Sequence, residues 1–319
     1  MLNQSRKANS YLLGLSLLNL APILWGSSYV VLKQTIATIP PSILNLISYT
    51  LAALCFTPFL KQNQRLMKAG CELGFLLLLG SATQTIGLQY TSASRSAFIT
   101  ALYVVLVPLI IHLSLLLPKL LAKKHRTKPK HAVAKTDKVP YSIWITAILA
   151  LIGVGVLSYD HQNPNIGDLW TLGTACCYAL YIIRIENHAR KFNALSLAAT
   201  QMWGAVGFSW LWVAQDKSHW LTNFQALFDL PWSSLLYLGL VVTTGTICIQ
   251  TWGQARVKST QAAVIYTLEP VWGLVFAYFI LGEVLGWRGW FGAVLIVVAT
   301  LLSQFSSSFR KLRYYCDLD

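Results

Sequence analysis

Glu269 lies near the middle of the apolar stretch QAAVIYTLEPVWGLVFAYFIL, residues 261–281, with Pro270 directly after it. A carboxylate at such a depth in a bilayer costs on the order of 3 kcal/mol by insertion scales, and acids placed there face a protein interior or a water-filled path. Proline frees a backbone carbonyl one turn back, which membrane helices tolerate where a neighbour or cavity water satisfies it. The pair reads as a place where a cationic group or a proton is handled. The competing reading is a structural kink, with a protonated acid hydrogen-bonded to the next helix. Helical spacing puts Ala262, Tyr266, Glu269 and Gly273 on one face. Ser96, Thr100, Tyr103 and Val107 repeat that spacing earlier in the chain; Ser81, Gln84 and Leu88 align on another stretch, and Thr246, Gln250 and Gly253 on a third. Trp25 and Tyr29, then Thr174, Tyr178 and Tyr181, add aromatic and hydroxyl groups. The candidates for solute contact are Glu269, Tyr266, Tyr103, Thr100, Gln84, Trp25, Tyr178 and Gln250, with Glu269 also the candidate for proton coupling. Aromatic and amide groups sharing one cavity suit a neutral or zwitterionic organic solute. Ser, Thr and Gly in membrane helices also serve close packing and interhelical hydrogen bonds, so each has a structural role to weigh against.

The composition demands a lipid solvent for these residues. The chain has 319 residues, 55% hydrophobic and 11% charged, where soluble domains carry about 25% charged residues. The net charge of +14 would suggest nucleic acid in a soluble protein; here the charge lies in short segments between apolar runs, so no nucleic-acid partner is expected. The six cysteines show no CxxC or Cys/His ligand spacing and read as small buried hydrophobes. No HExxH, GxSxG or Walker A motif occurs. Asp160 and Asp168 fall in a short loop beside Pro164, which argues against an intramembrane aspartyl protease. The sequence therefore predicts no enzyme, no catalytic residue, no metal and no cofactor.

Ten apolar spans follow from runs near the roughly 20 residues needed to cross hydrocarbon: about 11–32, 42–60, 71–90, 95–117, 141–159, 167–186, 195–214, 233–253, 260–281 and 288–306. With the amino terminus inside, every Lys and Arg except Lys33, Arg95, Lys217 and Arg288 falls in a cytoplasmic segment. That bias predicts both termini cytoplasmic; the membrane is expected to be the plasma membrane. Arg6 and Lys7 before the first apolar run resemble a signal peptide, but without a cleavage site the run reads as a retained helix. The expected organisation is 1–117, the first four helices; 118–140, a basic cytoplasmic linker near anionic headgroups; 141–159, the fifth helix; 167–306, the second five; and 307–319, a cytoplasmic tail. Residues 215–232 read as a short helix lying in the outer interface. His112 reads as a neutral hydrogen-bonded histidine, Arg184 and Glu186 as snorkelling groups, and Glu283 as a solvated loop acid.

The halves repeat. At an offset of 166, Ala97, Ile99, Leu102 and Val105 meet identical residues, and Tyr103 stands opposite Glu269. Five spans per repeat force the second half to insert upside down, a transporter signature with the solute site near the midplane. Leu24-Trp25-Gly26-Ser27-Ser28-Tyr29, Tyr90-Thr91-Ser92-Ala93-Ser94, and Leu268-Glu269-Pro270-Val271 followed by Leu281-Gly282-Glu283 match, in position and order, the EamA-type drug/metabolite transporters, which the chain resembles over nearly its whole length. That resemblance implies an all-α membrane protein, with ten transmembrane helices as two five-helix inverted-topology repeats. It also implies transport of small organic solutes, often outward; the expected protein is a secondary carrier exporting an amino-acid-like or drug-like metabolite by alternating access. The family's first-half motif often has proline where Val104 stands, so a kink is expected only in the ninth span. Two other readings compete: a carrier of phosphorylated or nucleotide-linked sugars, and a non-transporting membrane scaffold or receptor. A homodimer is left open.

Overall fold

The computed structural model describes residues 2–91, 93–122, 140–158, 164–215, 230–281 and 286–316. Among them every regular element is helical. The first half holds α1 (Leu2–Leu18), α2 (Ala21–Ile36), α3 (Pro41–Phe56), α4 (Gln64–Tyr90), α5 (Ala93–Thr100), α6 (Tyr103–Ala122) and α7 (Tyr141–Ser158). The second holds α8 (Ile166–Ala189), α9 (Ala194–Gln215), α10 (Trp232–Leu236), a π-helical segment (Tyr237–Thr243), α11 (Thr244–Gln254), α12 (Ser259–Tyr266), α13 (Glu269–Leu281) and α14 (Trp287–Cys316). Among the described residues six helical stretches are long and apolar enough to cross a membrane: Asn9–Ser28, Pro41–Phe59, Gln64–Tyr90, Ser96–Ser114, Ile166–Ala189 and Trp232–Gln254. Tyr141–Val156 and Trp287–Ser303 are shorter apolar helices. Ile145, Ile152, Phe279 and Leu301 are exposed, giving the molecule an apolar outer surface.

Local chemistry sets several helix starts. The Asn63 side chain accepts from the backbone of Arg65 and Leu66 at the head of α4. Asn165 and Asp168 form a reciprocal capping box at the head of α8. Pro22 in the first turn of α2 cannot bond back to Leu18, and the first span, expected as one run over 11–32, is divided at Asn19–Leu20.

The two central spans are broken in matching places. α5 ends at Thr100 and α6 begins at Tyr103; α12 ends at Tyr266 and α13 begins at Glu269. Both boundaries lie 166 residues apart, the same offset as the sequence identities. This corrects the expectation of a kink in the ninth span alone. Pro270 explains the second break, since it cannot donate to the Tyr266 carbonyl. The first break has no proline at 104; the chain there tightens through i to i−3 bonds, Leu102 N–H to Ile99 O at 3.2 Å and Val104 N–H to Ala101 O at 3.0 Å. Packing holds that register: Ala101, Val104 and Val107 are fully buried. Ala101 clusters with Val154 and Ile296, and Leu268 and Val271 pack against the same cluster, so the two breaks meet where α7 and α14 pass.

Helix partners also exchange between halves. α13 packs on α2 as α6 packs on α8; α3 and α9 pack on each other, as do α7 and α14. α4 lies on α8 and α9, while the π-helical segment and α11 lie on α2 and α3. Glycine permits the closest of these contacts: a Cβ on Gly74 would sit 2.5 Å from the Gln201 carbonyl oxygen and 2.6 Å from the Ala205 nitrogen.

Other expectations need amendment. α6 runs to Ala122, past the expected end of the fourth span, and the linker residues 123–139 lie outside the described residues. The tail does not begin as a separate segment at 307, because α14 continues to Cys316. Most of the expected interface helix, 216–229, and Gly282 and Glu283 lie outside the described residues. Cys55, Cys71 and Cys176 are exposed rather than buried, since their helix faces point outward.

Candidate solute cavity

Between the halves lies a cavity of about 150 Å³. Trp25 and Ser28 of α2, Asn45, Ser48 and Tyr49 of α3, Ser81 and Gln84 of α4, and Tyr103 of α6 contribute from the first half. Tyr178 and Tyr181 of α8, Thr243 of the π-helical segment, Thr246 and Gln250 of α11, Tyr266 of α12 and Glu269 of α13 contribute from the second. Leucine, isoleucine and valine side chains complete the wall. Of the eight candidates read from the sequence, seven border this one space: Glu269, Tyr266, Tyr103, Gln84, Trp25, Tyr178 and Gln250. Thr100 does not. It ends α5, so the break after it removes the helical spacing that would have aligned it with Tyr103; its hydroxyl is buried with no hydrogen-bond partner in the protein.

The broken ninth span explains how an acid is held here. Glu269 is 9% exposed and occupies the first turn of α13, where the helix dipole favours negative charge. Its position depends on α2, because Gly26 meets the backbone of α13 directly. Tyr103 and Tyr178 lie within electrostatic reach of the carboxylate. Trp25 meets Tyr266 edge to face, ring centroids 5.0 Å apart. Gly80 lets Tyr178 lie against the α4 backbone; an added Cβ there would overlap its ring.

Amides tie the phenols down. Tyr178 donates to Gln84 Oε1 at 3.2 Å, Tyr181 to Gln201 Oε1 at 3.3 Å, and Tyr266 to Gln254 Oε1 at 3.2 Å. Gln254 in turn donates to the Ile182 carbonyl at 3.0 Å. Between α4 and α3 Ser81 donates to Asn45 Oδ1, and Asn45 Nδ2 donates to the Pro41 carbonyl at 2.8 Å. Ser48 Oγ is buried without a partner.

The sequence reading missed Asn45, Ser48 and Tyr49. Their i, i+3, i+4 spacing in an apolar run was a usable signal. It also missed Thr243, which reaches the cavity from the π-helical segment; such segments recur at functional sites. There the Thr243 and Thr244 hydroxyls donate five residues back, to Leu238 O at 2.8 Å and Gly239 O at 2.9 Å.

Charged groups outside the cavity do structural work. Arg184 does not simply snorkel: it forks onto Glu72 of α4, with Nη2 to Oε2 at 2.8 Å, and His188 Nε2 lies 3.0 Å from the same oxygen. Glu186 pairs with Arg190 at 2.8 Å and accepts from Ser259 N–H at 2.6 Å, starting α12. Lys33 donates to the Thr91 carbonyl at 3.1 Å, closing the end of α4. His112 is exposed and meets Trp144 edge-on at 6.5 Å, away from the cavity.

Comparison with known proteins bears on this arrangement. The model of the EamA-like transporter family matches residues 12–118 and 165–305, one stretch in each half. An uncharacterized transporter of Archaeoglobus fulgidus is 31% identical over 285 residues, 89% of this chain and 83% of that protein. An uncharacterized transporter of Bacillus subtilis is 24% identical over 302 residues, 91% of this chain and 96% of its own length. A biotin transporter of Escherichia coli K12 is 22% identical over 304 residues, covering 90% and 91%. A solved crystal structure superposes over 91% of this chain and 97% of its own with a TM-score of 0.68 at 15% identity, a likeness of fold.

Proposed function

The chain belongs to the EamA-like transporter family, and from that premise we propose that it is a secondary carrier exporting a small organic metabolite, amino-acid-like or drug-like. Ten spanning helices form two inverted five-helix repeats that expose the cavity to each side in turn, with both termini cytoplasmic in the plasma membrane. Glu269, Tyr266, Tyr103, Gln84, Trp25, Tyr178 and Gln250 contact the solute, and Glu269 carries the coupling proton. The observation that carries the reading is the cavity itself, walled by both halves at the breaks of α5–α6 and α12–α13. Irregular backbone at membrane depth is tolerated where it lines a cavity or is buried in protein. The exchange of helix partners between halves supports the inverted repeat.

A carrier of phosphorylated or nucleotide-linked sugars would place Lys or Arg in this wall; its described lining contains neither.

Uptake into proteoliposomes against a panel of amino acids, sugars and organic cations tests the proposal. We expect saturable uptake of at least one class, and no uptake above protein-free liposomes would contradict it. Deleting residues 123–138, between α6 and α7, is expected to leave that uptake within about twofold, since none of them is in the described lining of the cavity. A scaffold or receptor working through its basic linker would instead lose its activity.

A further inference from the structure

We infer that Ser48 is a solute-contacting residue, donating a hydrogen bond to an uncharged acceptor on the solute: a hydroxyl, carbonyl or amide oxygen. The inference rests on the carrier reading and adds a specificity-determining residue to it. Five Ser and Thr side chains border the cavity. Four donate within the protein: Ser28 to the Trp25 carbonyl at 2.8 Å, Ser81 to Asn45 Oδ1, Thr243 to the Leu238 carbonyl at 2.8 Å and Thr246 to the Thr243 carbonyl at 3.3 Å. Ser48 differs. It is 4% exposed, and its hydroxyl has no partner in the protein. Ser and Thr inside helices commonly turn back to a carbonyl three or four residues earlier. Thr50, two residues further along α3, does so, donating to the Leu46 carbonyl at 2.7 Å. Ser48 bonds to neither the Leu44 nor the Asn45 carbonyl. Buried polar groups are almost always hydrogen-bonded, so a hydroxyl left unmatched in a cavity wall is matched to what enters the cavity.

Its place in the fold suits that role. Gly239 of the π-helical segment comes close to the Ser48 carbonyl, where an added Cβ would lie 3.2 Å from the oxygen. Leu238, Val242 and Thr243 of the same segment line the cavity. Ser48 therefore stands where α3 of the first half meets the π-helical segment of the second. The described lining holds no Lys, Arg or His to balance an anion, which makes the acceptor an uncharged one. In the empty carrier a cavity water can take the bond, to be displaced by the solute.

Ser48→Ala removes the donor and little volume. No bond within the protein is lost, so its melting temperature should match or exceed the parent's. For each solute that the uptake panel shows to be carried, the half-saturating concentration should rise about tenfold, with the maximal rate held within about threefold. Ser209→Ala is the control. The Ser209 hydroxyl is also buried without a partner, but on α9 and outside the described lining, and its removal should leave both values as in the parent. Tetramethylammonium, which carries no acceptor, should not enter above protein-free liposomes. A second measurement does not depend on transport: Ser48→Cys treated with N-ethylmaleimide should be modified at position 48, read by mass spectrometry, and Ser209→Cys should be unmodified at position 209. A lowered melting temperature in Ser48→Ala, an unchanged half-saturating concentration, uptake of tetramethylammonium, or no modification at position 48 would overturn the inference. If the panel finds a carried solute and Ser48→Ala handles it as Ser209→Ala does, the Ser48 inference falls and the carrier reading stands. If no solute is carried, both fall.

Discussion

Glu269→Gln is expected to remove the pH dependence of solute flux and to slow flux about 100-fold, close to 3 kcal/mol in the rate-limiting step. The amide keeps the shape and the hydrogen-bonding capacity of the acid while removing its charge and its exchangeable proton. Folding should survive, because an ionisable group at this depth is costly and its neutral replacement relieves that cost. The purified variant should therefore elute as the parent does on size exclusion while its flux collapses. The prediction is specific because Glu269 is held by construction: it opens a half-helix, it is 9% exposed, and it shares one wall with the tyrosines. Parent-like flux with an intact pH profile would remove Glu269 from the mechanism.

Gly26→Leu is expected to abolish flux and lower the melting temperature. A Cβ at this position would lie 2.7 Å from the Gly273 nitrogen, 2.7 Å from the Trp272 Cβ and 2.9 Å from the Glu269 carbonyl oxygen. These are mostly backbone atoms, so no neighbouring side chain can swing away. The only relief is to push α13 off α2, and the displacement carries Glu269 with it. Overpacking of this kind costs about 1–3 kcal/mol. Gly26→Ala should show a smaller loss of the same sign. Gly207 of α9 has open space around it, with nothing within 4 Å of an added Cβ, so Gly207→Ala should match the parent in thermal unfolding and uptake. If Gly26→Leu behaved like Gly207→Ala, the close approach of α2 and α13 would be irrelevant to function.

The first prediction concerns a residue whose importance could be read in the sequence from periodicity, whereas Gly26 stood there only within a resembling motif and its contact with α13 emerges from the structure. The face shared by Tyr266 and Glu269, and the offset that matches 97–105 to 263–271, are local patterns that survive into the structure. Thr100 shows the limit of such patterns: helical spacing presumes an unbroken helix, and the chain breaks between Thr100 and Tyr103. That break was invisible because no proline marks it and its register is held by packing against other helices. The same holds for Arg184, whose partner Glu72 lies 112 residues away in the other half. Asn45, Ser48 and Tyr49 differ, since one helical face already carried them in the sequence. The π-helical segment is illegible for a physical reason: Tyr237–Thr243 is ordinary apolar sequence, and its extra residue per turn appears only against α2 and α3.

The most direct test of the central claim, that this chain is a carrier, is counterflow. Proteoliposomes loaded with a transported solute are diluted into a trace of the same solute bearing a label. A carrier working by alternating access returns from the trans side loaded, so the label should accumulate transiently above its equilibrium level before decaying. Label that merely equilibrates, without an overshoot and without saturation, would contradict the account.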